Sequence, residues 1–408
     1  MMPDVSVLEV HLHGRKIATL TYVGVDRTLF AFTEEYIRDQ ERPLLGLGFK
    51  DSLGELITNF NSTRILIIPW FSNLLPEGDL RRYLAKRARV NSVREFFLLW
   101  MLGQDLPGAV VVQPADGEEL PPTIPYDSDH EEEVREKALR FSLAGVQLKF
   151  SAINKPGKGL TIPVRGIGGD RILKLPSRQF AALPENEYSM MELARAVGID
   201  VPRVELIRVD MIDNLPSGIE RFGTHAFVID RFDRTPDGSL VHVEDFAQVF
   251  GVYPDHKYDK ASIRNIANVI GVEGQQTDIE ELIRRLVFNV LIGNADMHLK
   301  NWSLIYRDEL NASLAPAYDF VSTICYIPDE SFALKFSRSK RFAEFSQNEL
   351  SHLAGKARLP EKLVLDVATE TVAKFHEVWR AEKYNLALSN NMIKVIDKHL
   401  TRMPIAAG

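Results

Sequence analysis

Among its 408 residues the chain has a single cysteine, Cys325. One thiol excludes an intrachain disulfide and any thiolate-rich metal site, and within the apolar run FVSTICYI it reads as a core residue. No apolar run approaches the roughly 20 residues that a membrane-spanning helix needs. MMPDVSVLEV has neither the basic patch nor the apolar core of a secretory signal, so the expectation is a cytoplasmic protein without membrane contact. Positive charge is also short. With 49 Lys and Arg against 56 Asp and Glu the formal charge is −7, which argues against a protein that coats nucleic acid by itself and leaves contact with DNA through a partner open. The histidines lack H-x-x-x-H spacing, which disfavours a metallohydrolase, and the glycine cluster GIGGD at 166–170 lacks the GK[ST] ending of a Walker loop.

The length allows two or three compact units. Residues 1–113 open with SVLEVHLHG and KIATLTYVG, alternating segments that predict two strands around a Gly turn. Helical spacing follows in NLLPEGDLRRYLAKRARV and SVREFFLLWMLG, then the strand-like GAVVVQP, so this part is a small mixed α/β subdomain. Its basic run DLRRYLAKRAR is expected to be a solvated helix face. Residues 114–137 are rich in Pro, Asp and Glu and nearly devoid of large apolar side chains, the composition of an exposed linker. Strand-like segments fill most of 138–235, and helical patterns dominate 236–408.

Phosphoryl transfer needs a carboxylate to orient the attacking hydroxyl, oxygen ligands for magnesium, a cation on the nucleotide phosphates and a backbone loop to cover them. Each has a candidate. In GNADMHLKN, after the helical run LIRRLVFNVLI, Asp296 and Asn301 have the D-x-x-x-x-N spacing of a kinase catalytic loop; a solvated capping loop would share those letters. In LAPAYDFVS, Asp319 is a second candidate magnesium ligand. Lys174 lies in the strand-like RILKLP, either as an edge-strand lysine or as a phosphate-binding one paired with a carboxylate. The next segment, LPENEYSMMELARAVGID, predicts a helix ending at Gly198; it offers Glu187, in its first turn, as that carboxylate, with Glu192 as rival. The turn in FSLAGVQLKFSA, with Gly145, Val146 and Gln147, is a candidate nucleotide loop or an ordinary hairpin turn. THAFVIDRFDRTPDG predicts a strand and a polar exit where Asp230 and Phe232 could meet an adenine, and the letters fit a plain strand and turn equally well.

Together SLAGVQLK, ILKLP, NEY, FVIDRFDR, NADMHLKN and APAYDF resemble the HipA-like serine/threonine kinases, toxins of bacterial type II toxin-antitoxin systems. WFSNLLPEGDLRRYLAKR and LLWMLGQDLPGAVVV resemble the N-terminal subdomain of the longer members. The resemblance implies an α+β, protein-kinase-like bilobal fold with ATP and Mg2+ as cofactors. It carries over Asp296 as catalytic aspartate, Asn301 and Asp319 as metal ligands, and Lys174 as phosphate-binding lysine. His298 and Lys300 flank the catalytic pair, Lys300 being able to steady the transferring phosphate and His298 to face the nucleotide or to pack. Ser142 matches a loop serine that family members autophosphorylate. The implied partners are a protein substrate such as an aminoacyl-tRNA synthetase and a helix-turn-helix antitoxin, through which alone DNA would be met. The rival activity is a small-molecule phosphotransferase of the aminoglycoside or choline kinase kind, whose H-x-D-x-x-x-x-N is not matched, because no histidine precedes Asp296 by two.

Overall fold

The structure is a computed structural model that describes residues 6–87, 91–115, 149–155, 159–161, 169–213, 215 and 218–407. Ser142, Gly145, Val146, Gln147 and most of the acidic linker lie outside the described residues.

The chain begins with a hairpin. Strands Ser6–Leu12 and Arg15–Tyr22 pair antiparallel across His13-Gly14. Both turn residues have positive φ, 50° and 76°, the backbone that lets a two-residue loop match the strand twist. Strand Arg27–Phe32 extends this sheet on one side. Val110–Pro114 closes it on the other, so the sheet joins both ends of the first 114 residues. One face of alternating side chains, with Leu8, Val10, Leu12 and Leu20, packs against Phe71, Phe97, Leu98 and Leu99 in one apolar core.

A second sheet has six strands, with Lys149–Lys155, Arg171–Lys174, His225–Asp230 and Val204–Arg208 adjacent in that order. Helix Leu183–Val197 lies against it and ends on Gly198 at φ 95°, as its sequence predicts. Glu187 sits one turn further in than expected, as the fifth residue of that helix. The helix also has a second allegiance: Met190, Met191, Leu193 and Ala194 belong to the large helical core that follows.

That core is built on helix Gln276–Ile292, whose residues Leu286 to Ile292 are all buried and which packs on the long helix Glu361–Glu382. A helix apolar on every side must be central, and truncating Phe288 in its middle is expected to cost roughly 3–5 kcal/mol. It stops at Gly293, φ 66°, where an added Cβ would lie 2.4 Å from the Ile324 side chain. So a left-handed turn and close packing together require glycine there. The turn delivers residues 294–301 to one edge of the core. A three-stranded sheet, His242–Asp245 with Ser303–Tyr306 and Ser313–Leu314, underlies that loop. No helix among the described residues is long and apolar enough to cross a membrane.

Candidate active site

Lys174 ends its strand in register with Phe227 and Lys149, so the chain emerging from the SLAGVQ segment runs beside it. Its ammonium, almost fully buried, donates to both Glu187 Oε1 and Asp319 Oδ1. Burial would lower the Lys174 pKa, but the Asp319 and Glu187 carboxylates outweigh it and hold the value above that of a free lysine. Glu187 is therefore the partner. Glu192, the rival, pairs instead with Arg195 at 3.2 Å on the outer face of the same helix.

Asp319 is shared. Its Oδ2 accepts from Asn301 Nδ2 at 2.6 Å, so one carboxylate joins the strand lysine to the catalytic loop. The backbone of Asp319 lies at φ 61°, in the left-handed region where a non-glycine residue is uncommon. Fixed contacts hold it there: Asn294 Nδ2 donates to its carbonyl at 3.3 Å. Beyond it, the Asn186 side chain donates to Ser322 O at 3.1 Å and accepts from Ser322 N at 3.0 Å. Asn186 is the neighbour of Glu187, so one turn of helix fixes both the lysine and the segment after Asp319.

The catalytic loop is braced from below. Asn294, fully enclosed, donates to Asn289 Oδ1 at 2.8 Å and accepts from Asp296 N at 3.1 Å, and Thr323 Oγ1 accepts from Ala295 N at 2.7 Å. Asp296 at the loop's tip accepts from the Tyr258 hydroxyl at 2.6 Å. Asn301 Oδ1 accepts from His298 N at 3.1 Å. The His298 ring is buried, and burial with the nearby Lys257 charge lowers its pKa to about 3, so the imidazole is neutral at physiological pH.

Lys300 goes elsewhere than expected. Its ammonium donates to the carbonyl of Asn73 at 2.9 Å and pairs with Glu77 at 2.7 Å, both in the N-terminal subdomain. In this structure it ties the catalytic loop to that subdomain rather than facing a phosphate site. Asp230, at the end of its strand, pairs with Arg171 at 3.2 Å. Phe232 packs on Tyr318, ring centroids 5.8 Å apart, next to Asp319. Of the two residues expected to meet an adenine, Phe232 reaches the edge of the site and Asp230 serves the strand pair.

The rest of RFDR is a clamp. Arg231 and Arg234 both reach Asp105, at 3.0 and 3.1 Å, and both donate to the carbonyl of Leu106. Asp233 accepts from Gly108 N at 2.8 Å. A second junction is Glu244, buried beneath the loop, which accepts from Leu47 N at 2.8 Å, from Trp70 Nε1 at 3.1 Å and from the Tyr306 hydroxyl. Tyr258 and Glu244 are residues that the sequence did not single out, while Asn186, Glu77 and Asp105 lie inside stretches that carry the family resemblance but received no role of their own. For Glu244 the local signal was the acidic pair in HVED, since a buried carboxylate within a strand asks for a partner.

The donor set fits magnesium. Asn301 and Asp319 are in contact through the Asn301 amide nitrogen, and the Asn301 carbonyl oxygen, which accepts from His298 N, has a second lone pair that a hard cation could take. Among the described residues no group of three or more His, Cys, Asp or Glu side chains could hold a metal alone.

This geometry agrees with what the chain is similar to. The family model described as the HipA-like C-terminal domain matches residues 141–379, more than half of the chain, and that described as the HipA N-terminal domain matches residues 8–113. The chain belongs to the HipA-like kinase family. A relative in Sinorhizobium fredii, named "Putative kinase Y4dM", is 55% identical over 98% of this chain and 97% of its own length. The serine/threonine-protein kinase toxin HipA of Shewanella oneidensis is 25% identical over 78% of this chain and 76% of its own. A solved structure of the Shewanella oneidensis HipA toxin-antitoxin system with HipB and operator DNA matches with a TM-score of 0.74 at 21% identity, covering 98% of this chain and 96% of that one. At that identity the match establishes the fold, which is the HipA kinase fold expected from the motifs. The protein is thus a kinase, and the N-terminal subdomain that clamps it is the HipA N-terminal domain.

Proposed function

We propose that this HipA-family kinase transfers the γ-phosphoryl group of ATP to a serine or threonine hydroxyl of a protein, as the toxin of a pair with a small DNA-binding antitoxin. The observation that carries the reading is the convergence of Lys174, Asp319 and Asn301 in one hydrogen-bonded chain, with Asp296 at the tip of the same loop. Magnesium held by Asn301 and Asp319 would supply the positive charge that phosphoryl transfer develops against. Lys174 would move from its bond with Asp319 to the phosphates while Glu187 keeps it in place. Asp296 would orient the acceptor hydroxyl and take its proton.

The protein-directed reading is favoured over a small-molecule kinase by the relatives, one of which is named a serine/threonine-protein kinase toxin. An antitoxin partner is supported by the matched structure, a complex of HipA with HipB and operator DNA. It also suits the charge of −7, because the partner can supply the basic surface for DNA. An aminoacyl-tRNA synthetase is the substrate class we favour, and Ser142, outside the described residues, is the site we assign to self-phosphorylation.

The test is direct. Purified protein with ATP and magnesium should incorporate phosphate at Ser142, located by mass spectrometry, and Asp296→Asn should lower transfer by roughly 100- to 10,000-fold while leaving the fold and ATP binding intact. Retained transfer in that variant would remove Asp296 from its role, and phosphate found only at other sites would remove Ser142 from its own.

A further inference from the structure

Tyr258 belongs to none of the kinase motifs, yet its hydroxyl donates to the carboxylate of Asp296 at 2.6 Å. It lies 38 residues upstream of that aspartate, just beyond the short helical turn Pro254–His256, in the connection that leads to helix Ile263–Glu273. An acceptor hydroxyl must make this same contact for Asp296 to orient it. Burial and the Asp296 charge raise the phenol pKa, so the group remains a donor throughout the physiological range.

The surroundings separate what is fixed from what can move. Lys257, the preceding residue, donates to Glu77 Oε2 at 2.7 Å, and its carbonyl accepts from Leu299 N at 3.3 Å, so the backbone is tied to both the N-terminal subdomain and the catalytic loop. The Tyr258 side chain itself is 45% exposed and can rotate into solvent without disturbing a core. Its ring stands edge-on to His298, centroids 5.0 Å apart at 83°. Below it, His298 Nδ1 is buried with no hydrogen-bond partner among the described residues. A polar atom left unsatisfied beneath a movable ring is what a site for an incoming hydroxyl or phosphate oxygen would contain.

We propose that Tyr258 marks the acceptor subsite: its hydroxyl holds, on Asp296, the place of the polypeptide hydroxyl that will receive the phosphoryl group, and it swings out when that hydroxyl docks against Asp296 and His298. The inference rests on Asp296 acting as the catalytic aspartate, as proposed above. It adds that in the resting enzyme this hydroxyl occupies one hydrogen-bonding position on an otherwise exposed carboxylate, so that water, the acceptor always present, does not take it.

Water therefore serves as the probe, since it requires no knowledge of the substrate. Tyr258→Phe keeps the ring on His298 and removes only the hydroxyl. Basal ATP hydrolysis, measured without a protein acceptor, should rise about tenfold, the factor that one hydrogen bond to a charged group is worth, with KM for ATP unchanged and the melting temperature close to that of the parent. A rate that stays level or falls overturns the proposal, as does a rise accompanied by an equal change in KM for ATP. Tyr258→Leu, which also lacks the hydroxyl, replaces the phenylalanine variant if that one melts early. The single variant Asp296→Asn, measured beside Tyr258→Phe, separates the two claims. If Asp296→Asn alone leaves hydrolysis intact, the catalytic assignment fails; if it abolishes hydrolysis while Tyr258→Phe gives no gain, only the role of Tyr258 fails.

Discussion

Glu77, in the N-terminal subdomain, lies 2.7 Å from the ammonium of Lys300, which is the residue before the metal-ligand candidate Asn301. It also holds Lys257 at 2.7 Å, so one carboxylate anchors both the catalytic loop and the segment bearing Tyr258. Burial alone would raise the Glu77 pKa, but the Lys300 and Lys257 charges outweigh it and hold the carboxyl at about 2, below the ordinary 4.5. A depressed carboxyl contributes stability that is present above its unfolded value and is lost as pH falls through the folded one. Thermal stability should therefore decline between pH 4.5 and 2, and Glu77→Gln should flatten the curve in that window while lowering the melting temperature at pH 7. Scanning fluorimetry across that range checks it.

Glu244 should behave in the opposite sense. Burial pushes its carboxyl up to about 7, against the pull of the Tyr306, Leu47 and Trp70 donors. A raised carboxyl contributes stability below its unfolded value of 4.5, and that contribution is lost as pH rises towards 7. Glu244→Gln removes this slope. It also costs roughly 1–3 kcal/mol, because an amide cannot accept from all three donors and must set an N–H against one of them. Denaturant melts at pH 5 and pH 8 would show a smaller difference in the variant than in the parent.

Replacing Lys174 by methionine should cost both activity and stability. Glu187 is buried, and taking away the cation it shares with Asp319 is expected to destabilise by roughly 3–5 kcal/mol. Adding Glu187→Leu should recover part of that stability and none of the phosphoryl transfer, because an apolar pair fits a buried site but holds no phosphate. Recovery of both would mean that the lysine's role is structural only.

Asp105→Asn should loosen the clamp formed with Arg231 and Arg234. The carboxylate neutralises Arg231 and Arg234, all three largely buried, so its loss leaves two guanidinium groups close together with less compensation. The expected cost is roughly 3 kcal/mol or more, with KM for ATP rising more than kcat falls, because Phe232 sits between those arginines and packs on Tyr318 beside the site. Steady-state kinetics at several ATP concentrations would read the split.

The residues that we assign to phosphate, metal and acceptor were brought to notice by the letters, because the chemistry proposed for them dictates both residue type and spacing. Asp296 and Asn301 stand with four residues between them on one short loop, and a lysine inside an apolar strand asks for a carboxylate. The helix end at Gly198 and the hairpin at His13-Gly14 were legible for a similar reason, since few residues tolerate those backbone angles. What the sequence hid was pairing across distance. Glu77 meets Lys257 from 180 residues away and Glu244 meets Trp70 from 174, and no local pattern marks either. The basic run DLRRYLAKRAR shows the limit of periodicity. Arg81, expected on a solvated face, turns inward and donates to the buried Glu95 at 3.0 Å, so that helix braces its own subdomain.

The clamp around Asp233 constrains how this protein can change over time. Because Gly108 and Asp105 on one side match Arg231, Asp233 and Arg234 on the other, a graft of the first domain from a relative would need the matching half of the lock to be transplanted with it. Divergence in the two stretches should then be correlated, and a chimaera that exchanges only one of them should assemble poorly even though every nucleotide-facing group is still in place.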